Sequence, residues 1–138
     1  MSLSKAHILA LFYTLFLATS LLLPASAFQK FTFTSLLELD KLIHFIIFFL
    51  FETLWLLAVI QKKSITSKTK AQYLIVGICY GVLLEFLQST SAFERSFEYG
   101  DVIANTLGCI LGVLSFTVVL KFVTFLKKYL PFMSKLYK

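Results

Sequence analysis

The chain alternates between long apolar runs and short polar breaks. The runs near 7–23, 42–60, 72–90 and 102–121 each approach the roughly 20 helical residues needed to cross a hydrocarbon core of about 30 Å. A backbone in lipid must satisfy its own hydrogen bonds, so each run is expected to be a helix. Barrel strands would instead alternate in polarity over about 10 residues, and no stretch here does so. The pattern predicts an all-α polytopic membrane protein, with four transmembrane helices in a compact bundle forming a single domain over 1–138.

The breaks differ in charge, and this sets the orientation. Residues 61–71 carry four lysines, residues 91–101 three acids and one arginine, and residues 24–41 two lysines and two acids. Lys121, Lys127, Lys128, Lys135 and Lys138 close the chain. Positive charge marks the cytoplasmic side. Both termini and the 61–71 loop are therefore expected inside, with 122–138 as a basic cytoplasmic tail. The loops at 24–41 and 91–101 are expected outside. Tyr129, Phe132 and Tyr137 suit an interfacial aromatic belt.

The first run admits a second reading. Lys5, the apolar run, Pro24 and Ala25-Ser26-Ala27 together resemble a secretory signal with an A-x-A cleavage site. A run of about 16 residues is slightly long for a signal, and we read it as a retained helix; the outer placement of the 24–41 loop is the same either way. Ser35 and Glu38 have capping-box spacing, which predicts a short interfacial helix or turn ahead of the second span.

Composition agrees with lipid as the main solvent. Hydrophobic residues make up 59% and charged ones 14%, against roughly 45–50% and about 25% in soluble domains. A soluble chain of this size could not hide that much apolar surface, which excludes an ordinary soluble enzyme, a disordered tail and a disulfide scaffold. The formal charge is +6. Cys79 and Cys109 lie inside apolar runs with no CxxC or Cys/His pattern, and are read as buried apolar side chains. Membrane lipids are the expected partners; no nucleic acid, cofactor or metal is expected.

Ionisable side chains within spans are costly and face a bundle interior or wet cavity, so they carry the information. The second span opens with Asp40 and Lys41, has His44 one turn further in and Glu52 near the midplane. The third has Glu85 and Gln88, and the fourth opens with Asp101 and has Asn105 one turn in. From the topology, His44, Glu85 and Asn105 lie about 5, 7 and 6 Å below the outer boundary. Residues distant in sequence thus converge on the outer third of the membrane.

Helical phase aligns them further. Asp101, Asn105, Gly108 and Gly112 fall within about 60° of one another, and Gly77, Gly81, Glu85 and Gln88 within about 80°. Each stripe contains a GxxxG, which lets backbones approach closely in lipid. Counting from the span ends pairs Gly81 with Gly112, Glu85 with Gly108 and Gln88 with Asn105, so the third and fourth helices are expected to pack through these glycines. Glu52 is offset by about 80° from His44 and is expected to be protonated or paired within the bundle.

Together these residues resemble the VanZ-like family. Asp40-Lys41-Leu42-Ile43-His44-Phe45 matches its D-K-x-x-H-F signature. Glu85 and Gln88, Arg95, and Asp101, Asn105, Gly108 and Gly112 match its later elements, although the proline often found before the arginine is missing here. The resemblance covers 40–112 strongly and the first span loosely. It implies a multi-pass protein of the bacterial cytoplasmic (inner) membrane, possessing a cell-envelope role. The family takes its name from a protein associated with teicoplanin resistance, but that activity is not carried over, and no reaction is attached to the family as a whole.

The reading adopted is a polar pocket open to the outer leaflet. His44 and Glu85 form its ionisable centre and are the candidate acid–base pair should chemistry occur. Asp101 and Asn105 orient a ligand, with Asp40 and Gln88 beside them, and Lys41 and Arg95 attract an anionic lipid headgroup. A metal on His44, Glu85 and Asp101 has no local ligand motif behind it. A second reading makes the cluster a helix-packing device in a structural or interaction module of an envelope complex. A third, a proton or ion transporter, requires Glu52 on the same face as the outer cluster and lacks broken helices or an inverted repeat.

Overall fold

The computed structural model describes residues 4–23, 36–60, 65–90 and 96–129, of which 36–38 and 127–129 are described by backbone alone. They form four helices: α1 (Lys5–Leu21), α2 (Leu36–Ile60), α3 (Ser67–Gln88) and α4 (Tyr99–Tyr129), with no strand among them. Ser4 caps α1 by accepting the His7 N–H, and Thr66 caps α3 by accepting the Thr69 N–H. Both satisfy a backbone donor that the helix leaves open.

Leu39–Ile60, Ser67–Gln88 and Tyr99–Leu126 are long and apolar enough to cross a membrane, and α1 is a shorter apolar helix of 17 residues. At about 25 Å, α1 lies at the lower limit of a span. Phe12, Leu15, Ile75, Leu114, Val118 and Phe122 are all exposed on the outside of the bundle. That much outward apolar surface belongs in lipid. This is a multi-pass membrane protein.

Two boundaries differ from the sequence reading. α2 begins at Leu36, so the turn expected near Glu38 is the first turn of the long helix; Ser35 lies outside the described residues. α4 runs to Tyr129 and not 121, because nothing between the two breaks a helix before Pro131. Residues 130–138, with Phe132 and Tyr137, lie outside the described residues.

Successive helices run antiparallel. One end of the bundle gathers Leu21, Lys41, Gln88 and Glu98, where Lys41 bonds Glu98 and Gln88 bonds the Leu21 carbonyl. The opposite end gathers apolar residues: Ala6 and Ala10 against Ala58, and Leu56 and Leu57 against Phe116. α2 is the central helix and packs most extensively on α4. α1 is fastened by side chains bonding to backbone or hydroxyl groups. Tyr13 donates to the Ile47 carbonyl, Tyr80 to the Thr14 carbonyl, and Trp55 to Thr14 Oγ1. Phe51 stacks on Tyr80 beneath them, with ring centroids 5.2 Å apart.

Cys109 is fully buried, as expected, whereas Cys79 is exposed. Cys79 lies about 160° round α3 from Gly77 and Gly81, opposite the buried glycine stripe, so the helix turns it outward.

Candidate functional site: an acid–histidine cluster at the polar end

The phase reading of both stripes holds in the structure. Gly77, Gly81, Glu85 and Gln88 of α3 are all buried, and so are Asp101, Asn105, Gly108 and Gly112 of α4. The partners differ from the expected register. A methyl placed on Gly108 would fall on the Phe45 carbonyl oxygen and 2.9 Å from the Phe49 nitrogen; one on Gly112 would lie 2.9 Å from Glu52 Cβ and 3.2 Å from the Phe49 carbonyl oxygen. The α4 glycines therefore admit the backbone of α2, not α3. Gly81 faces the Phe48 ring and Asn105 Cβ, and Gly77 faces the Glu52 carboxylate and Cys109 Sγ. Gly81 and Gly112 do not form the expected pair. Periodicity fixes which face of a helix is small, but not which neighbour uses the room.

His44 is the hub of the polar end. It is 1% exposed, one turn below the Asp40–Lys41 entry of α2. Its Nδ1 lies 3.0 Å from Asn105 Oδ1. An amide oxygen only accepts, so Nδ1 carries the proton. Nε2 then points towards two carboxylates, 3.9 Å from Asp101 Oδ2 and 4.0 Å from Asp40 Oδ1. Both distances exceed hydrogen-bond range. On the other side of Asp101, Lys41 Nζ lies 3.9 Å from Oδ1 and 3.3 Å from Glu98 Oε2. Gly100 leaves space for the Lys41 stem, since a methyl there would overlap Lys41 Cε.

Glu85 and Gln88 are used differently. Glu85 Oε1 accepts the Glu98 N–H at 2.8 Å, where α4 begins and a negative charge is favourable. Gln88 Nε2 donates to the Leu21 carbonyl at 2.7 Å, closing an open carbonyl at the end of α1. The expected Gln88–Asn105 meeting does not occur. Glu85 remains within electrostatic range of His44 and Asp101, so the cluster draws on α2, α3 and α4. Arg95 lies outside the described residues.

Glu98 was not singled out by sequence reasoning. Its backbone and its carboxylate both serve the site, bonding Glu85 and Lys41 respectively. Its place next to the start of α4 was the only signal, and the same position suits any helix-entry acid.

Glu52 is fully buried, and neither carboxylate oxygen has a hydrogen-bond partner among the described residues. It faces the interior on the side of α3 and α4, as His44 does. Between them Phe48 is also fully buried, one turn from each, and no hydrogen bond among the described residues joins Glu52 to the outer cluster. Of the two states expected for Glu52, protonated or paired within the bundle, pairing by hydrogen bond is absent among the described residues.

The VanZ/LLP1 family model matches residues 3–121. An uncharacterised protein of Schizosaccharomyces pombe is 34% identical over 77 residues, which is 54% of this chain and 44% of that protein. An uncharacterised protein of Saccharomyces cerevisiae is 35% identical over 94 residues, covering 62% of this chain and 81% of the yeast protein. This chain thus aligns with less than half the length of the first relative and most of the second. No solved structure matches. With α1 to α3, most of α4 and the polar cluster inside the matched region, the chain belongs to the VanZ/LLP1 family.

Proposed function

We propose that the acid–histidine cluster is a pocket for the polar headgroup of an amphiphile that enters sideways from the surrounding lipid. One observation carries this reading. His44 Nε2, Glu85 Oε2, Asp101 Oδ1 and Asn105 Nδ2 are all buried and without a hydrogen-bond partner among the described residues. Each such group costs about 1–3 kcal/mol when left unsatisfied. A cluster kept only for packing would pair its atoms. Asp101 Oδ1 is shared with Lys41, and the open Nε2 of His44 together with the open groups of Glu85 and Asn105 are what a polar ligand would complete.

His44 and Glu85 supply the ionisable centre, and Asp101 and Asn105 orient the headgroup. Lys41 and Arg95 would draw an anionic headgroup, the finer form of this reading. Lys41 is already shared between Glu98 and Asp101, so an anion must displace a carboxylate or bring a counter-charge with it. The lysines of the 61–71 loop, at the other end of the bundle, support an outer position for the pocket. The bacterial cytoplasmic membrane is the host the family resemblance implies, whereas the two relatives named above are yeast proteins. Reporter fusions after residues 35, 66, 96 and 138 should read out, in, out, in.

The packing reading has its own support in the bonds that Glu85 and Gln88 make to Glu98 N–H and the Leu21 carbonyl. Native mass spectrometry of the full-length protein separates the two. Phosphatidylglycerol and phosphatidylcholine nanodiscs serve as lipid sources, and wild type is compared with Asp101→Asn and Gln88→Leu. A pocket predicts a retained lipid adduct that Asp101→Asn weakens and Gln88→Leu spares. A packing device predicts no retained adduct in any form. The transporter reading is weakened by the Phe48 layer between the cluster and Glu52.

A further inference from the structure

We propose that Asp40, His44 and Asp101 bind a divalent transition-metal cation of the Zn²⁺ or Mn²⁺ kind. This goes beyond the amphiphile reading and needs no lipid. One ligand atom from each residue lies within 4.8 Å of the other two. Two acids near a histidine would not by themselves make a site. Here the histidine is almost wholly buried, and its Nε2 is unpartnered and aimed at both carboxylates.

The neighbouring groups fix what kind of ligand completes it. Asn105 Oδ1 takes the Nδ1 proton, which leaves a lone pair on Nε2. That lone pair and two carboxylate oxygens then converge, and no hydrogen bond to Nε2 is made among the described residues. A histidine oriented through its other nitrogen is the usual outer-shell arrangement at metal sites. Lys41 engages Asp101 through Oδ1, on the far side from the Oδ2 that faces His44, so it does not fill the gap. Asp40 and not Glu85 completes the set, because Asp40 is the carboxylate grouped with His44 and Asp101 by distance. Two carboxylates balance a divalent charge.

Size and donor type agree. A tetrahedral ion with bonds of about 2.0–2.1 Å would hold its ligands about 3.3 Å apart. His44 Nε2 stands 3.9 and 4.0 Å from the carboxylates, so a small side-chain rotation closes the site. Imidazole suits zinc and iron, and carboxylates suit manganese and magnesium; the mixed set selects ions that accept both. Three protein ligands leave a coordination position open, the pattern of reactive rather than structural sites. Asp40 is 39% exposed at its side chain, so that position is reached from the polar end. A cation there would also supply the counter-charge an anionic headgroup requires.

The test uses the full-length protein, purified in detergent through a tag without histidine. Metal content is measured by mass spectrometry after dialysis against Zn²⁺ or Mn²⁺, and melting is followed with and without EDTA. Wild type is expected to hold about one equivalent, with melting raised by about 5 °C or more over the EDTA-treated form. His44→Ala and Asp40→Asn are expected to lose both the metal and the shift. Asp40 sits at the half-exposed mouth, so its variant reports even where His44→Ala fails to fold. Asn105→Ala, which removes the positioning acceptor, is expected to weaken metal affinity about 10–100-fold. A folded wild type that retains neither metal overturns the proposal. So does a metal that remains bound in Asp40→Asn and His44→Ala.

Discussion

α3 and α4 carry the same sequence device, a stripe of two glycines four residues apart with polar groups one and two turns above, and the bundle uses the two copies differently. The α4 glycines admit backbone: Gly108 lies against Phe45 and Phe49 main-chain atoms, and Gly112 against Phe49 and the root of Glu52. The α3 glycines admit side-chain ends, the Phe48 ring at Gly81 and the Glu52 carboxylate at Gly77. The polar groups above follow suit. Those of α4, Asp101 and Asn105, turn to His44 and build the site. Those of α3, Glu85 and Gln88, reach the start of α4 and the end of α1. Close backbone approach positions α4 so that its polar groups meet α2. α3 braces that pair from outside.

Substitutions can break this contrast. Gly108→Ala should have the largest effect, because the new methyl meets α2 backbone that cannot swing aside. A loss of about 3 kcal/mol or more is expected from such overpacking, read as reduced folded yield and a lower denaturation midpoint in detergent. Gly112→Ala should cost about 1–3 kcal/mol in the same assay, since only part of what it meets is backbone. Gln88→Leu should cost about 0.6–2 kcal/mol, the worth of a hydrogen bond between membrane helices, and should loosen α1 in hydrogen exchange while leaving α2 and α4 protected. Gly77→Ala should cost least, under about 1 kcal/mol, as the Glu52 carboxyl end and the Cys109 thiol can both rotate. A Gly77→Ala protein less stable than Gly108→Ala would reverse the roles assigned to the two stripes.

Much of the fold and of the site was legible in the sequence for physical reasons. Lipid forces helices. The cost of burying an ionisable or amide group within a span is enough to pick out His44, Glu85, Asp101 and Asn105. The spacing of Asp40 and His44 puts both on one face of α2, and the fold brings Asp101 to the same point. Partner choice was not legible. Helical phase says that Gly108 and Gly112 face inward, but it is silent on whether α2 or α3 comes against them. The acceptors chosen by Gln88 and Tyr13 are backbone carbonyls of Leu21 and Ile47, and every residue presents such a carbonyl. Glu98 escaped notice because its contribution is as much its N–H as its side chain.

The central claim is that His44 is held by Asn105 with its Nε2 turned to Asp40 and Asp101. Nitrogen-15 NMR of full-length protein labelled at histidine tests it directly. The chain has two histidines, so His7→Gln leaves His44 as the sole reporter. With metal removed, the neutral form of the ring is expected to carry its proton on Nδ1, towards Asn105, and not on Nε2. The Nδ1 signal should shift in Asn105→Leu. A neutral ring protonated at Nε2, or a spectrum indifferent to Asn105→Leu, would contradict it.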